Sequence, residues 1–433
     1  MQVPRRRPLH VRILAGLLTG ALAGVLAHAL APDAPWLAWT ITHITEPFGR
    51  LFLRLIFMVV LPLVLSALSL GVAGLGDVAR LGRIAAKTFA YTVLATGLSV
   101  VVGLALVNAV RPGAGLPPET RAALAASVAR TGPVTAAEAP VGLEALLAIV
   151  PENPLRAAVN GDMLGVMFFS LMLGLGLALA PRETTAPLVA VLEGLYAVVM
   201  RIIDIAMRLA PYGVAALLFT LTARLGAGVL RQLASYVAVV LAGLAFHQFV
   251  TYSLILRALG RISPRLFFTR IRAVMVTAFS TSSSNVTLPV ALRVTERDLG
   301  VPRDIAHFVL TLGSTANQNG TALFEGVTVL FLAQFYGVEL GLQAQLVVVL
   351  MAILAGVGTA GVPGGSLPLI VPVLVTVGIP PEGIGIILGV DRLLDMCRTV
   401  LNVTGDVAAA VVVARSEGVL EVPFVVPELA ERA

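Results

Sequence analysis

The chain has 433 residues, 58% of them hydrophobic and only 12% charged, with a mean hydropathy of +0.95, whereas a soluble domain carries roughly a quarter charged residues; a water-soluble fold is excluded. The net charge of +6 does not point to nucleic acid, because the arginines fall in short clusters between apolar runs, as in the cytoplasmic loops of membrane proteins. The single cysteine, Cys397, rules out an intrachain disulfide, a zinc set and a redox pair.

In chain order, Arg5, Arg6, Arg7 and Arg12 precede an apolar run over 13–31, which reads as a first span with a cytoplasmic N-terminus. Ala27-His28-Ala29 offers a small-x-small cleavage pattern, but the run exceeds the ~7–15-residue core of a signal peptide, so the span is read as retained. A second span over 48–75 carries Arg50 and Arg54 near its start and Pro62 inside. Arg80, Arg83 and Lys87 read as a cytoplasmic loop before a third span to Val110. Residues 111–140, rich in glycine and proline, read as an external loop. The stretch 141–180 is too long for one span and is broken by Pro151, Asn153 and Pro154, which predicts several helical pieces. Spans follow at 188–225, with Pro211 inside, and 233–256. Arg257, Arg261, Arg265, Arg270 and Arg272, with no acidic residue between them, read as the clearest cytoplasmic loop.

Beyond Arg272 the spans are interrupted. Segments 273–279 and 288–294 are each too short to cross a core of ~30 Å, and they flank STSSSNVT at 280–287. Apolar brackets on both sides argue for a re-entrant hairpin rather than an exposed Ser/Thr loop. Segments 308–315 and 321–335 flank ANQNG at 316–320, which reads as a helix unwound at mid-membrane. Segments 346–354 and 367–377 flank GVGTAGVPGGS at 356–366; its glycines cluster around Pro363 instead of recurring every fourth residue, so they form a second hairpin tip and not a packing stripe. In the last helix Asp391, Asp395, Arg398, Asn402 and Asp406 follow at spacings of 4, 3, 4 and 4, which puts them on one face. Asp395 and Arg398 would suit a plain i,i+3 ion pair, but Asn402 and Asp406 extend the stripe without a basic partner. Ionisable groups at membrane depth are costly and mark a substrate or ion path. Hairpin, helix, hairpin, helix is a two-fold repeat, and broken elements in corresponding halves point to a transporter's binding site. No nucleophile elbow, metal-binding helix or phosphate loop is present, so the chain reads as a non-enzyme; an ion channel built on the hairpins is the rival. Cys397, His247 and His307 read as packing residues.

The motifs SSSNVTLP (282–289), NQNGTALFEG (317–326), GTAGVPGG (358–365) and LDMCRTVLNVTGD (394–406) resemble the dicarboxylate/amino acid:cation symporter family, which contains the glutamate and aspartate transporters. The likeness extends to NPLRAAVNGDMLGVMFF (153–169) and RLAPYGVAAL (208–217). It implies an all-α integral membrane fold of eight transmembrane helices plus two re-entrant helical hairpins in inverted repeats. It also implies a homotrimer and an elevator motion of a transport domain against a scaffold. Residues 1–83 would hold spans 1 and 2 of the scaffold, 84–140 span 3 and the external loop, and 141–260 spans 4–6, span 6 joining the transport domain. Residues 261–414 would form the transport core and 415–433 a cytoplasmic tail. Both termini would face the cytoplasm from a plasma membrane, with lipid around the chain and no nucleic-acid partner.

The resemblance assigns Arg398 to the side-chain carboxylate of an acidic substrate, Asp395 to its α-ammonium, and Asn402 with the first hairpin's tip to its α-carboxylate. Ser284, Thr321, Thr399 and the backbone at Val362 join them. A guanidinium fork suits a carboxylate, and oxygen ligands suit a hard cation. The Gly313 carbonyl, Asn317, Asn402 and Asp406 match one sodium site; Thr315, Gln318, Val357 and Thr359 match a second. Where sodium-driven relatives build a third site from an aspartate and hydroxyls, this chain has Asn319, Thr92, Ala95 and Thr96; an amide brings no charge to compensate a desolvated ion. Fewer than three sodium ions are therefore expected. Glu325 falls where proton-coupled relatives carry a glutamate, and desolvation favours the protonated form of such a carboxyl; the alternative is a structural glutamate hydrogen-bonded at a domain interface. The expectation is a cation-coupled symporter of glutamate or aspartate using sodium and a proton, with a dicarboxylate symporter as the alternative.

Overall fold

The computed structural model describes residues 9–73, 78–115, 150–358 and 366–420, and all regular structure among them is helical. Helix α1 (Leu9–Leu30) is followed by α2 (Pro35–Thr40), a π-helical segment (Ile41–Thr45), α3 (Glu46–Phe57) and α4 (Val60–Ala73). The second apolar stretch thus begins at Pro35 instead of residue 48. Helix α5 (Val78–Val110) takes in Arg80, Arg83 and Lys87, so the loop expected there is helix. No proline interrupts VARLGRIAAK, and basic residues near a membrane surface can extend a span into the headgroups.

Helices α6 (Pro154–Asn160) and α7 (Met163–Leu179) are the pieces predicted after Pro151. Asn153 caps the first by accepting from the Leu155 and Arg156 amides, Gly161 ends it at φ 75°, and Asp162 caps the second. Helix α8 (Arg182–Leu225) runs 44 residues through Pro187 and Pro211. Helix α9 (Gly228–Phe246) continues through a π-helical segment (His247–Thr251), α10 (Tyr252–Ile255) and a further π-helical segment (Leu256–Gly260). Helices α11 (Pro264–Arg270) and α12 (Arg272–Thr281) then replace most of the expected arginine-rich loop. Buried Ile262, Phe267 and Ile271 hold that segment against the core, while Arg261, Arg265 and Arg272 are exposed and Arg270 donates to the Asp298 carbonyl.

The remaining elements are α13 (Ser284–Arg297), α14 (Arg303–Ala316), α15 (Asn319–Tyr336), α16 (Leu342–Gly358), α17 (Leu367–Thr376), a 3-10 turn (Pro381–Gly383) and α18 (Ile384–Ser416). The interruptions are narrower than the polar runs around them. Only Ser282 (φ 50°, ψ 35°) and Ser283 (φ −143°, ψ 117°) leave the helix between α12 and α13. Only Asn317 and Gln318 leave it between α14 and α15. Serines, threonines and asparagines cap and start helices as readily as they break them, so most of each polar run remains helical. The 359–365 tip, with Thr359 and Val362, most of the external loop and the tail from 421 lie outside the described residues.

Helix α1 packs along α8, α8 on α3 and α4, and α4 on α7. A second group forms around α18, which touches α12, α14, α15 and α9, while α5 lies on α15 and α16. The groups meet where α17 touches α4 and α7 and where α1 and α8 touch α18. The boundary expected at residues 83/84 falls inside α5, and the one at 414/415 inside α18. The α1–α8 seam is set by Gly16, Gly20 and Gly24, one helical turn apart. A Cβ at these positions would stand 2.1 Å from the Pro211 carbonyl oxygen, 2.2 Å from that of Ala215 and 2.1 Å from Thr222 Oγ1. Apolar burial drives no association between helices in lipid, so close backbone approach through small residues takes its place. Thr222 Oγ1 adds a cross-seam hydrogen bond to the Ala21 carbonyl at 3.1 Å, and Leu14, Leu18, Leu22 and Leu26 are exposed on the outer side of α1.

Candidate functional site

Along α18 the predicted stripe is buried: Asp391, Asp395, Arg398, Asn402 and Asp406 are all within the interior. Arg398, 1% exposed, places Nη2 3.0 Å from Asp391 Oδ1 and 2.9 Å from Asp395 Oδ1. Its Cζ lies 3.8 Å from the centroid of the Phe324 ring on α15, a desolvated cation–π contact worth about 2 kcal/mol. Nε and Nη1 of Arg398 have no hydrogen-bond partner among the described residues. Asp395 Oδ2 accepts from Arg392 Nη1 at 3.2 Å. Two guanidinium groups and two carboxylates thus form one cluster, with Nε and Nη1 of the inner guanidinium unused.

One to two turns further along α18, Asn402 joins α18 to the broken α14–α15 junction. Its Nδ2 donates to Gln318 Oε1 and to Thr321 Oγ1, and its Oδ1 accepts from the Gly320 amide at 2.7 Å. Asp406 Oδ1 accepts from Asn317 Nδ2 at 2.9 Å, and Asn317 Oδ1 is buried without a donor. Asp406 reaches α14 because residue 313 is glycine: a Cβ there would sit 2.4 Å from Asp406 Oδ1. Thr399 Oγ1 donates to the Asp395 carbonyl at 2.8 Å.

Asn317, Gln318, Thr321, Asn402, Asp406 and Gly313 are therefore brought together. Ser284 is buried in the first turn of α13, but no hydrogen bond ties it to α18 among the described residues. Of the set Thr315, Gln318, Val357 and Thr359, Thr359 and the Val357 side chain lie outside the described residues. Thr315 is exposed and its hydroxyl donates back to the Leu312 carbonyl at 3.0 Å, while the Gln318 amide is turned to Asn402 and to the Ser314 carbonyl.

Asn319 is fully buried and bonded on both sides of its amide: Oδ1 accepts from Thr96 Oγ1, and Nδ2 donates to Tyr252 OH at 2.8 Å. Ser99 Oγ donates to its carbonyl at 2.8 Å. Glu325 is fully buried, and neither carboxyl oxygen has a hydrogen-bond partner among the described residues. His247 packs edge-on to Tyr252 at 4.7 Å between centroids, as expected of a packing residue. His307 departs from that reading: it is partly exposed, and its Nε2 lies 2.9 Å from Glu296 Oε1. Sequence reasoning left Asp391, Arg392, Phe324 and Tyr252 without roles. Asp391 was on the stripe, two turns before Arg398, and Arg392 one turn before Asp395; those spacings were the signal available.

This arrangement, a charged cluster and a polar junction buried inside apolar helices, defines a membrane protein that handles polar solutes. The sequence profile of the sodium:dicarboxylate symporter family matches residues 9–416, and the chain belongs to that family. It is 36% identical over 374 residues to the proton/sodium-glutamate symport protein of Bacillus subtilis (strain 168), covering 86% of each chain. It is 34% identical over 407 residues to the proton/glutamate-aspartate symporter of Escherichia coli (strain K12), covering 94% of this chain and 92% of that one. Against the C4-dicarboxylate transport protein of Rhodospirillum rubrum the identity is 31% over 413 residues, 95% and 88% of the two chains.

Proposed function

We propose that the protein is a cation-coupled secondary symporter of acidic amino acids, glutamate or aspartate, and not an enzyme. The observation that carries this reading is the two unmet donors of buried Arg398, Nε and Nη1. A guanidinium has five N–H donors and no acceptor, and leaving buried donors unmade is costly. A substrate carboxylate would accept a charge-assisted hydrogen bond from one of these unmet donors while Asp391 and Asp395 hold Nη2. Asp395 would receive the α-ammonium. Asn402, with Ser284, Thr321, Thr399 and the Val362 backbone, would hold the α-carboxylate. The names of the relatives at 34–36% identity support acidic amino acids over plain dicarboxylates.

Asp406, Asn317, Asn402 and the Gly313 carbonyl are the proposed ligands of one sodium ion; Thr315, Gln318, Val357 and Thr359 are proposed for a second. Asn319, bonded through both ends of its amide, supports fewer than three sodium ions, and Glu325 is the proposed carrier of a coupling proton. The wider reading is of eight spans and two re-entrant hairpins in a homotrimer in the plasma membrane, both termini cytoplasmic. The α18-centred group would move as an elevator against the α1–α8 scaffold.

Reconstituted proteoliposomes test this. Aspartate or glutamate should accumulate against its own gradient, driven by an inward proton gradient, which a pure channel cannot do. Glu325→Gln should abolish the proton response while leaving substrate exchange intact. Sodium-dependent uptake with a Hill slope near that of three-ion coupling and no response to pH would defeat the coupling part of the proposal.

A further inference from the structure

Both oxygens of Asp395, the carboxylate read above as the ammonium acceptor, are already engaged by guanidinium groups, Oδ1 by Arg398 at 2.9 Å and Oδ2 by Arg392 at 3.2 Å. The two arginines are not equivalent. Arg398 is 1% exposed, held by two carboxylates and stacked on Phe324, so it cannot withdraw without stranding charge. The Arg392 side chain is 26% exposed, lies at the edge of the cluster and makes no other ion pair among the described residues.

We infer that Arg392 is a specificity-determining residue: a built-in cation that occupies the ammonium subsite, is displaced from Asp395 Oδ2 by an amino-acid substrate, and stays in place when the substrate is a dicarboxylate without an ammonium group. The inference rests on the reading of Asp395 as the ammonium acceptor. The four charges Asp391, Arg392, Asp395 and Arg398 sum to zero. An acidic amino acid brings its own ammonium, so Arg392 can swing to the half-exposed edge and Asp395 remains paired. A dicarboxylate brings two negative charges and nothing for Asp395; with Arg392 retained, that carboxylate is neither unpaired nor left facing the substrate uncompensated. Arg392 would thus weaken amino-acid binding by competition and admit dicarboxylates that Asp395 alone would repel.

The test measures, in proteoliposomes, KM for aspartate and the inhibition constant of succinate against aspartate uptake, each ratio taken within one preparation so that the amount of inserted protein cancels. In Arg392→Gln, the aspartate KM should fall and the succinate constant rise. Their ratio should then shift toward aspartate by about tenfold, the size of one charge-assisted hydrogen bond. Arg392→Lys, which keeps the charge, should return the ratio toward that of the unmodified protein; Arg392→Ala serves as the neutral variant if Arg392→Gln does not insert. Asp395→Asn is run beside them. If it shifts the ratio toward succinate while the neutral Arg392 variants leave it unchanged, Arg392 is a bystander and the inference is overturned with the acceptor reading intact. If Asp395→Asn leaves the ratio unchanged, Asp395 does not receive the ammonium and the inference falls with that reading.

Discussion

The α1–α8 seam and the α18 stripe are both close contacts inside the same apolar molecule, yet they are built on opposite principles. At the seam, side chains are deleted: three glycines let backbone meet backbone, and one threonine hydroxyl bridges the gap. At the stripe, polar side chains are concentrated, and nearly every one is answered by another: Asp391 and Asp395 by Arg398, Asn402 by Gly320 and Gln318, Asp406 by Asn317. Among the described residues the seam has no buried side-chain polar atom without a hydrogen-bond partner, whereas the stripe has Asp391 Oδ1 and Arg398 Nε and Nη1, and the junction beside it has Asn317 Oδ1. Rigidity and recognition are thus separated between two groups of helices, and buried polarity left incomplete distinguishes the second from the first.

The largest effect should come from breaking the stripe. Arg398→Ala leaves buried Asp391 unpaired and Asp395 held only by Arg392, and removes the proposed partner of the substrate; loss of a buried pair costs about 3–5 kcal/mol, so aspartate and glutamate kcat/KM should fall on the order of a hundredfold or more, measured as initial uptake rates. Unchanged aspartate affinity would take Arg398 out of the site. Next, Asn319→Asp puts a carboxylate beside Tyr252 OH where an amide now donates. An unpaired buried charge should lower uptake in sodium-free medium by at least about tenfold, with recovery on adding sodium; sodium-independent uptake at the original rate would show that this position cannot host a cation.

Breaking the seam should act on stability and not on recognition. Gly20→Val forces a Cβ to within 2.2 Å of the Ala215 carbonyl oxygen, and overpacking of this kind costs about 1–3 kcal/mol. Thermal unfolding in detergent should move down while aspartate KM in the surviving protein stays put. The smallest effect is expected at a third place, where Arg83 and Lys87 at the start of α5 clasp Glu417 just beyond α18. Hydrogen bonds from Arg83 and then Lys87 hold the Glu417 carboxyl down from 4.5 to about 2. A carboxyl depressed in the folded protein contributes above its ordinary value and loses that contribution as pH falls toward the folded value. Glu417→Gln should therefore lower the melting temperature slightly at neutral pH, with the difference from the unmodified protein shrinking between about pH 4.5 and pH 2. A difference that grew on acidification would contradict the clasp.

What was legible in the chain was whatever one segment carries by itself. The spacing of Asp391, Asp395, Arg398, Asn402 and Asp406 is a property of a single helix, and so was readable as a face before any neighbour was known. The pieces around Asn153 and the interruptions at 282–283 and 317–318 were readable because capping residues act on their own backbone, although the same polar runs overstated the length of each break. What only the tertiary structure decided were the meetings between segments far apart in sequence. Gly16, Gly20 and Gly24 acquire a purpose only against Pro211, Ala215 and Thr222, and Gln318 acquires a partner only when Asn402 arrives from α18. Asn319 is shown bonded from both sides only when Thr96 and Tyr252 arrive from two other helices. Helical periodicity says which face a side chain occupies; which atoms then satisfy it depends on the packing of distant segments, and in an apolar interior with no water to substitute, that packing determines which polar groups remain available for a substrate.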